Sequence, residues 1–221
     1  MAAKVGVILS GCGVYDGSEI HEAVITLLAL ERAGAQPVCM APDMEQMHVV
    51  NHLTGEEMPG EKRNVLVEAA RIARGDIHDI KKVQAGDLDA LIMPGGFGAA
   101  KNLCDYAVKG ADCDVNEDVA RLVRDMHGAK KPIAAVCIAP VMVASILGDD
   151  KISHKLTIGS DEDTAKALEA MGSNHVACPV REFVLDEENR LISTPAYMLA
   201  GNVSEAADGI ERTVEALLDM V

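Results

Sequence analysis

Four almost uninterrupted apolar runs recur along the chain, and each is followed by a segment whose apolar residues have helical spacing. The runs are KVGVIL (4–9), QPVCMAP (36–42), LDALIMPGG (88–96) and PIAAV (132–136). The segments that follow lie at 18–34, 65–75, 115–128 and 138–148. Strands without polar alternation are buried on both faces. Strands alternating with helices build a parallel sheet covered on both sides. The expected fold is therefore α/β: a three-layer, flavodoxin-like sandwich around a mostly parallel, doubly wound sheet. A strand near 155–159, a helix at 161–172, a hairpin over 181–195 and a closing helix at 203–221 complete it. Ser18 reads as the N-cap of the first helix and Gly34 as its stop. The polar stretch 97–116 is long for a connection, and long connections often carry function.

No linker or repeat interrupts the 221 residues, so residues 1–221 are expected to form a single domain. Hydrophobic residues make up 49% and aromatic residues 2%, which implies an aliphatic core and little means of stacking bases. The net charge of −15 repels phosphate backbones and anionic membranes, so neither nucleic acid nor membrane is an expected partner. The six cysteines include no C-x-x-C pair and no zinc-ligand spacing, so no metal is expected. Free thiols and the absence of a leader-like segment point to the cytoplasm. A homodimer is expected because it is the commonest assembly.

In parallel sheets, ligands bind beyond the carboxyl ends of the strands. Three stretches converge on that rim: SGCGVYDGSE after the first strand, PGGFG after the third, and CIAP after the fourth. Cys137 sits where a strand turns directly into a helix. It is either a small filler of the junction or a thiol activated by the helix N-terminus, which favours thiolate. An elbow of this kind strains the backbone. Glu22, one turn inside the first helix among apolar positions, is the expected proton carrier. Glu19 lies on the same face and offsets the helix dipole. Gly95 and Gly96 let the backbone approach a ligand and offer N–H groups to an oxyanion. Cys12 reads as a wall residue of the same rim.

Two rival readings are weaker. Gly11, Gly13 and Gly17 open a helix as in a dinucleotide fingerprint. Their spacing is irregular, however, and Asp16 and Glu19 would repel a pyrophosphate. A Cys-His hydrolase needs a base close to the thiol. Cys137 is followed by Ile138, only His154 and His175 have chain positions that allow approach, and His21 points away from Glu22's face.

The stretches GVILSGCGVYDGSEIHEAV, MPGGFGAAKNL, DCDVNEDV, CIAPVMVAS and NRLISTPAYM together resemble the ElbB-type glyoxalases. These belong to the PfpI-like superfamily, related to class I glutamine amidotransferases. The resemblance implies Cys137 as nucleophile, Glu22 as its proton partner, and Gly95, Gly96 and Ile138 as the oxyanion- or substrate-binding backbone. It implies conversion of glyoxal to glycolate through a cysteine hemithioacetal, with no cofactor. A small dicarbonyl suits a pocket expected to lack aromatic residues and a basic clamp. Ile138 in place of His, and the missing His-x-Glu pair near the C-terminus, argue against peptidase and glutaminase activity. The alternative is a redox-sensing or interaction protein of isoprenoid or carbonyl-stress metabolism with incidental aldehyde activity.

Overall fold

The computed structural model describes residues 2–221. The chain opens with β1 (Lys4–Ile8), α1 (Ile20–Arg32) and β2 (Gln36–Ala41). A small hairpin, β3 (Val50–Asn51) and β4 (Glu56–Glu57), precedes α2 (Val65–Ile72), β5 (His78–Asp79) and β6 (Ala90–Met93). A five-residue π-helical turn (Ala99–Leu103) and the short α3 (Tyr106–Lys109) lead to α4 (Glu117–Gly128), β7 (Ile133–Val136) and α5 (Pro140–Asp149). Next come β8 (His154–Leu156), α6 (Glu162–Ala170) and β9 (Ser173–His175). The chain closes with β10 (Val184–Asp186), β11 (Leu191–Thr194) and α7 (Val203–Asp219).

The main sheet runs β10-β11-β7-β6-β1-β2-β5, and only β10 is antiparallel to its neighbour. Side chains alternate between its two faces. Leu91 and Met93 of β6 join one core with Val119, Leu122 and Val123 of α4 and Val141 of α5. Ala90 and Ile92 join the other, with Ala23 and Leu30 of α1 and Ile210 and Val214 of α7. The expected three-layer sandwich forms because each central strand is apolar on both faces. β1 lies between β2 and β6, so the strand order reverses there and leaves the crevice that such sheets use for ligands. Among the described residues, no helix is long and apolar enough to cross a membrane.

Two local expectations need correction. Ser18 does not cap α1: its hydroxyl accepts the Ser10 N–H at 2.8 Å, tying the helix entry to the end of β1. Glu19 is the N-cap, and its carboxylate accepts the Glu22 N–H at 2.7 Å. The strand near 155–159 spans only His154–Leu156 and pairs with β9 in a separate two-stranded sheet. Side chains of the main sheet capture its neighbouring N–H groups instead: Asp186 takes Lys155 at 2.7 Å and Ser193 takes Thr157 at 2.8 Å. The long 97–116 connection is ordered by the π-helical turn, α3 and a bridge between Cys104 and Val115.

Candidate active site

β7 is buried along its whole length, and the ladder continues one residue further, where the Cys137 N–H donates to Thr194 O at 2.9 Å. Pro140 then begins α5, with its fixed φ suited to the first helical position. The chain must turn from strand to helix within three residues. Cys137 makes that turn at φ 61°, in the left-handed region, which costs an L-residue about 1–3 kcal/mol. The expected strained elbow is therefore present.

Glu22 is fully buried behind the thiol (0% exposed), while Cys137 is 7% exposed. The carboxyl is held at three points. Gly95 N–H donates to Oε2 at 2.9 Å, Tyr197 N–H donates to Oε1 at 3.2 Å, and the thiol of Cys137 is a hydrogen-bond partner. Burial, and then the negative charge of Glu19, push the Glu22 carboxyl up to about 7. The thiol is pushed well above its usual value by burial, then by the Glu22 charge, while the Gly96 and Ile138 N–H groups pull the other way. This corrects the expectation of a thiolate made by the helix N-terminus. Both groups lie too deep in a water-poor site for both to ionise easily, so a proton stays shared between them.

The two glycines after β6 divide their work. The N–H groups of Gly96 and Ile138 act on the sulfur of Cys137. Gly95 does not, because its N–H is committed to Glu22 and its carbonyl accepts the Glu19 N–H at 3.0 Å. A Cβ on Gly95 would lie 2.5 Å from Cys137 Cβ and 2.8 Å from Glu22 Oε2. Gly95→Ala is expected to lower unfolding stability by about 1–3 kcal/mol through this overpacking. Urea denaturation measures it, and an unchanged midpoint would show that the site has room the packing denies.

Cys137 opens onto a cavity of about 510 Å³, which Glu19, Gly96 and Ile138 also line. The expectation of a pocket without aromatics fails. Phe97, Tyr106 and Tyr197 line it, three of the five aromatic residues in the chain. Cys12 is half-buried in the loop after β1 and is not among the lining residues, because that loop folds back on itself. There Gly17 N–H donates to Gly13 O at 2.7 Å, and the buried Asp16 carboxylate accepts Val50 N–H at 2.8 Å. A carboxylate plugging the glycine loop also leaves no cradle for a pyrophosphate. Neither His154 nor His175 lines the cavity. His21 reaches its edge instead, with Nδ1 2.8 Å from the Tyr197 hydroxyl. Tyr197 is the cavity residue that the sequence did not single out. It follows β11 after Ala196, which is held at φ 42°, so the strand-end rule that located Cys137 applies to it as well. Among the described residues, no cluster of three or more His, Cys, Asp or Glu side chains is placed to hold a metal ion.

Residues 12–188 match the DJ-1/PfpI family. The chain belongs to the DJ-1/PfpI family. It is 44% identical to the mitochondrial ES1 protein homolog of Rattus norvegicus over 99% of this chain and 84% of that protein. It is 45% identical to the mitochondrial glutamine amidotransferase-like class 1 domain-containing protein 3 of Homo sapiens, with the same coverage. A crystal structure of an isoprenoid biosynthesis protein with an amidotransferase-like domain from Ehrlichia chaffeensis superposes with a TM-score of 0.91. It is 38% identical, over 99% of this chain and 100% of that one. These DJ-1/PfpI relatives overturn the cytoplasmic expectation, since the mammalian proteins are named as mitochondrial. Unpaired cysteines speak for a reducing environment and do not identify the compartment.

Proposed function

We propose that this DJ-1/PfpI protein is a glyoxalase that converts glyoxal and water to glycolate without an external thiol. The observation that carries the reading is Cys137 in the cavity wall with the buried Glu22 carboxyl against its thiol, and with the Gly96 and Ile138 N–H groups acting on the sulfur. The sulfur adds to one aldehyde carbon. The thiol proton passes through Glu22 to the carbonyl oxygen, which gives a hemithioacetal. Glu22, as carboxylate, removes the C–H proton, and the resulting enediol is reprotonated at the neighbouring carbon. This isomerisation leaves a glycolyl thioester, and water cleaves it to glycolate and the free thiol. One carbon is oxidised as the other is reduced, so no further redox partner is required.

A base working near neutral pH transfers protons best with a pKa near 7, where burial has placed Glu22. The competing sensor reading asks for an exposed, acidic thiol. A thiol that is 7% exposed and shifted upward supports it less. The test is glycolate formed per mole of protein. Many equivalents are expected. A Cys137 adduct that stops at one equivalent, without glycolate, would make this a sensor.

A further inference from the structure

We infer that the cavity selects uncharged carbonyl compounds carrying a bulky apolar or aryl group, in preference to glyoxal itself and to anionic aldehydes. The inference rests on the reading of Cys137 as nucleophile and concerns what surrounds the carbonyl it attacks.

Size is the first observation. A cavity of about 510 Å³ falls within the roughly 300–1,000 Å³ of sites that enclose drug-sized ligands. A water molecule takes about 30 Å³ of liquid, and glyoxal displaces only a few such volumes. Most of the cavity therefore stays wet behind it. The walls are the second observation. Phe97 (51% exposed), the half-buried Tyr106 and Tyr197, and the apolar Ile138 and Met198 all line the cavity with Cys137. An aromatic-poor chain has placed most of its rings where a planar substituent can stack offset or edge-on against them.

Charge is the third observation. Glu19 and Asp161 line the cavity, and no Lys, Arg or His does. Glu162 and Asp163 follow Asp161 in the first turn of α6, where Lys166 pairs with them at 3.8 and 3.6 Å, so the charge that bears on the cavity is that of Glu19 and Asp161. Basic groups stand outside the lining: Lys101 Nζ lies 5.5 Å from the Phe97 ring centre and donates to Tyr15 O at 3.0 Å, and His21 Nδ1 lies 3.8 Å from Glu19 Oε1. An anionic substituent meets two carboxylates and no lining cation. With phenylglyoxal the chemistry balances as before: sulfur adds to the aldehyde carbon, the proton moves to the ketone carbon, and hydrolysis gives mandelate.

Two measurements test this. The first is the rate at which the intact protein is alkylated at Cys137 by iodoacetanilide, iodoacetamide and iodoacetate, read by peptide mass spectrometry. Each rate is normalised to that of a free small thiol. The aryl reagent is expected to be about tenfold or more faster than iodoacetamide, and iodoacetate about tenfold or more slower. Phe97→Ala and Tyr106→Ala should erase the aryl advantage. Asp161→Asn, which keeps a capping side chain on α6, should narrow the deficit of iodoacetate. The second is kcat/KM for phenylglyoxal against glyoxal, expected to favour phenylglyoxal by about tenfold or more. Equal normalised alkylation rates, or an aryl preference that survives both alanine variants, would overturn the inference. So would a kcat/KM for glyoxal at or above that for phenylglyoxal. Ordered alkylation with no turnover of either dicarbonyl would uphold the cavity's selectivity and defeat the glyoxalase reading alone.

Discussion

Cys137→Ser is expected to keep its fold and to lose all of the proposed glyoxal turnover. The hydroxyl fills nearly the same volume at the elbow, and serine tolerates the φ of 61° no worse than cysteine does. Stability should therefore stay within about 1 kcal/mol of the parent. Chemistry is another matter. The adjacent base is a carboxyl near pH 7, and a serine hydroxyl is far too weak an acid to hand its proton to it. The Gly96 and Ile138 N–H groups remain but have no addition product to bind. Glycolate measured by chromatography, beside a chemical denaturation curve, decides the matter. Wild-type turnover in the folded serine variant would remove Cys137 from the reaction and the glyoxalase reading with it.

Glu22→Gln is expected to reduce turnover about 10²–10⁴-fold, the usual worth of a positioned proton carrier. It should also change how stability responds to pH, which a bystander residue could not do. In the folded protein Glu22 keeps its proton up to about 7, whereas an unperturbed glutamate releases it near 4.5. Across that window the folded state binds the extra proton, so stability declines as pH rises from the lower value through the upper. The decline attributable to Glu22 is about 3 kcal/mol. Glutamine cannot titrate, so the variant's curve should be flatter by that amount between about pH 4 and 8. Urea midpoints across this range provide the measurement. Parallel curves for the two proteins would mean that Glu22 is not held protonated by its burial.

The parts of the site legible in the sequence are those that a strand end or helix start fixes by itself. Cys137 closes an apolar strand, Glu22 lies one turn into an amphipathic helix, and Gly96 follows β6. What needed the fold was the direction of groups. A Gly-Gly pair does not reveal that Gly95 turns its N–H to Glu22 while Gly96 turns its own to the sulfur. Ser18 and Glu19 are both adequate caps, and tertiary demand on the Ser18 hydroxyl by Ser10 decided between them. The thiol's acidity sets a helix terminus against burial, and only depth settles that contest. The aromatic lining escaped notice because a 2% average says nothing about where the rings gather. The β3–β4 hairpin escaped because Glu56 and Glu57 are exposed and carry no apolar pattern.

Glu22 follows β1 and Cys137 follows β7, with β6 lying between those strands and β11 supplying the backbone acceptor that holds the cysteine in its turn. Those pairings join distant parts of the chain, and such contacts close late and slowly during folding. A nascent or half-refolded chain thus carries only an ordinary glutamate and an ordinary thiol, free of their mutual grip. The proton-sharing pair of Cys137 and Glu22, rather than the thiol alone, is in this sense a certificate of completed folding: it exists only once the central strands have found one another.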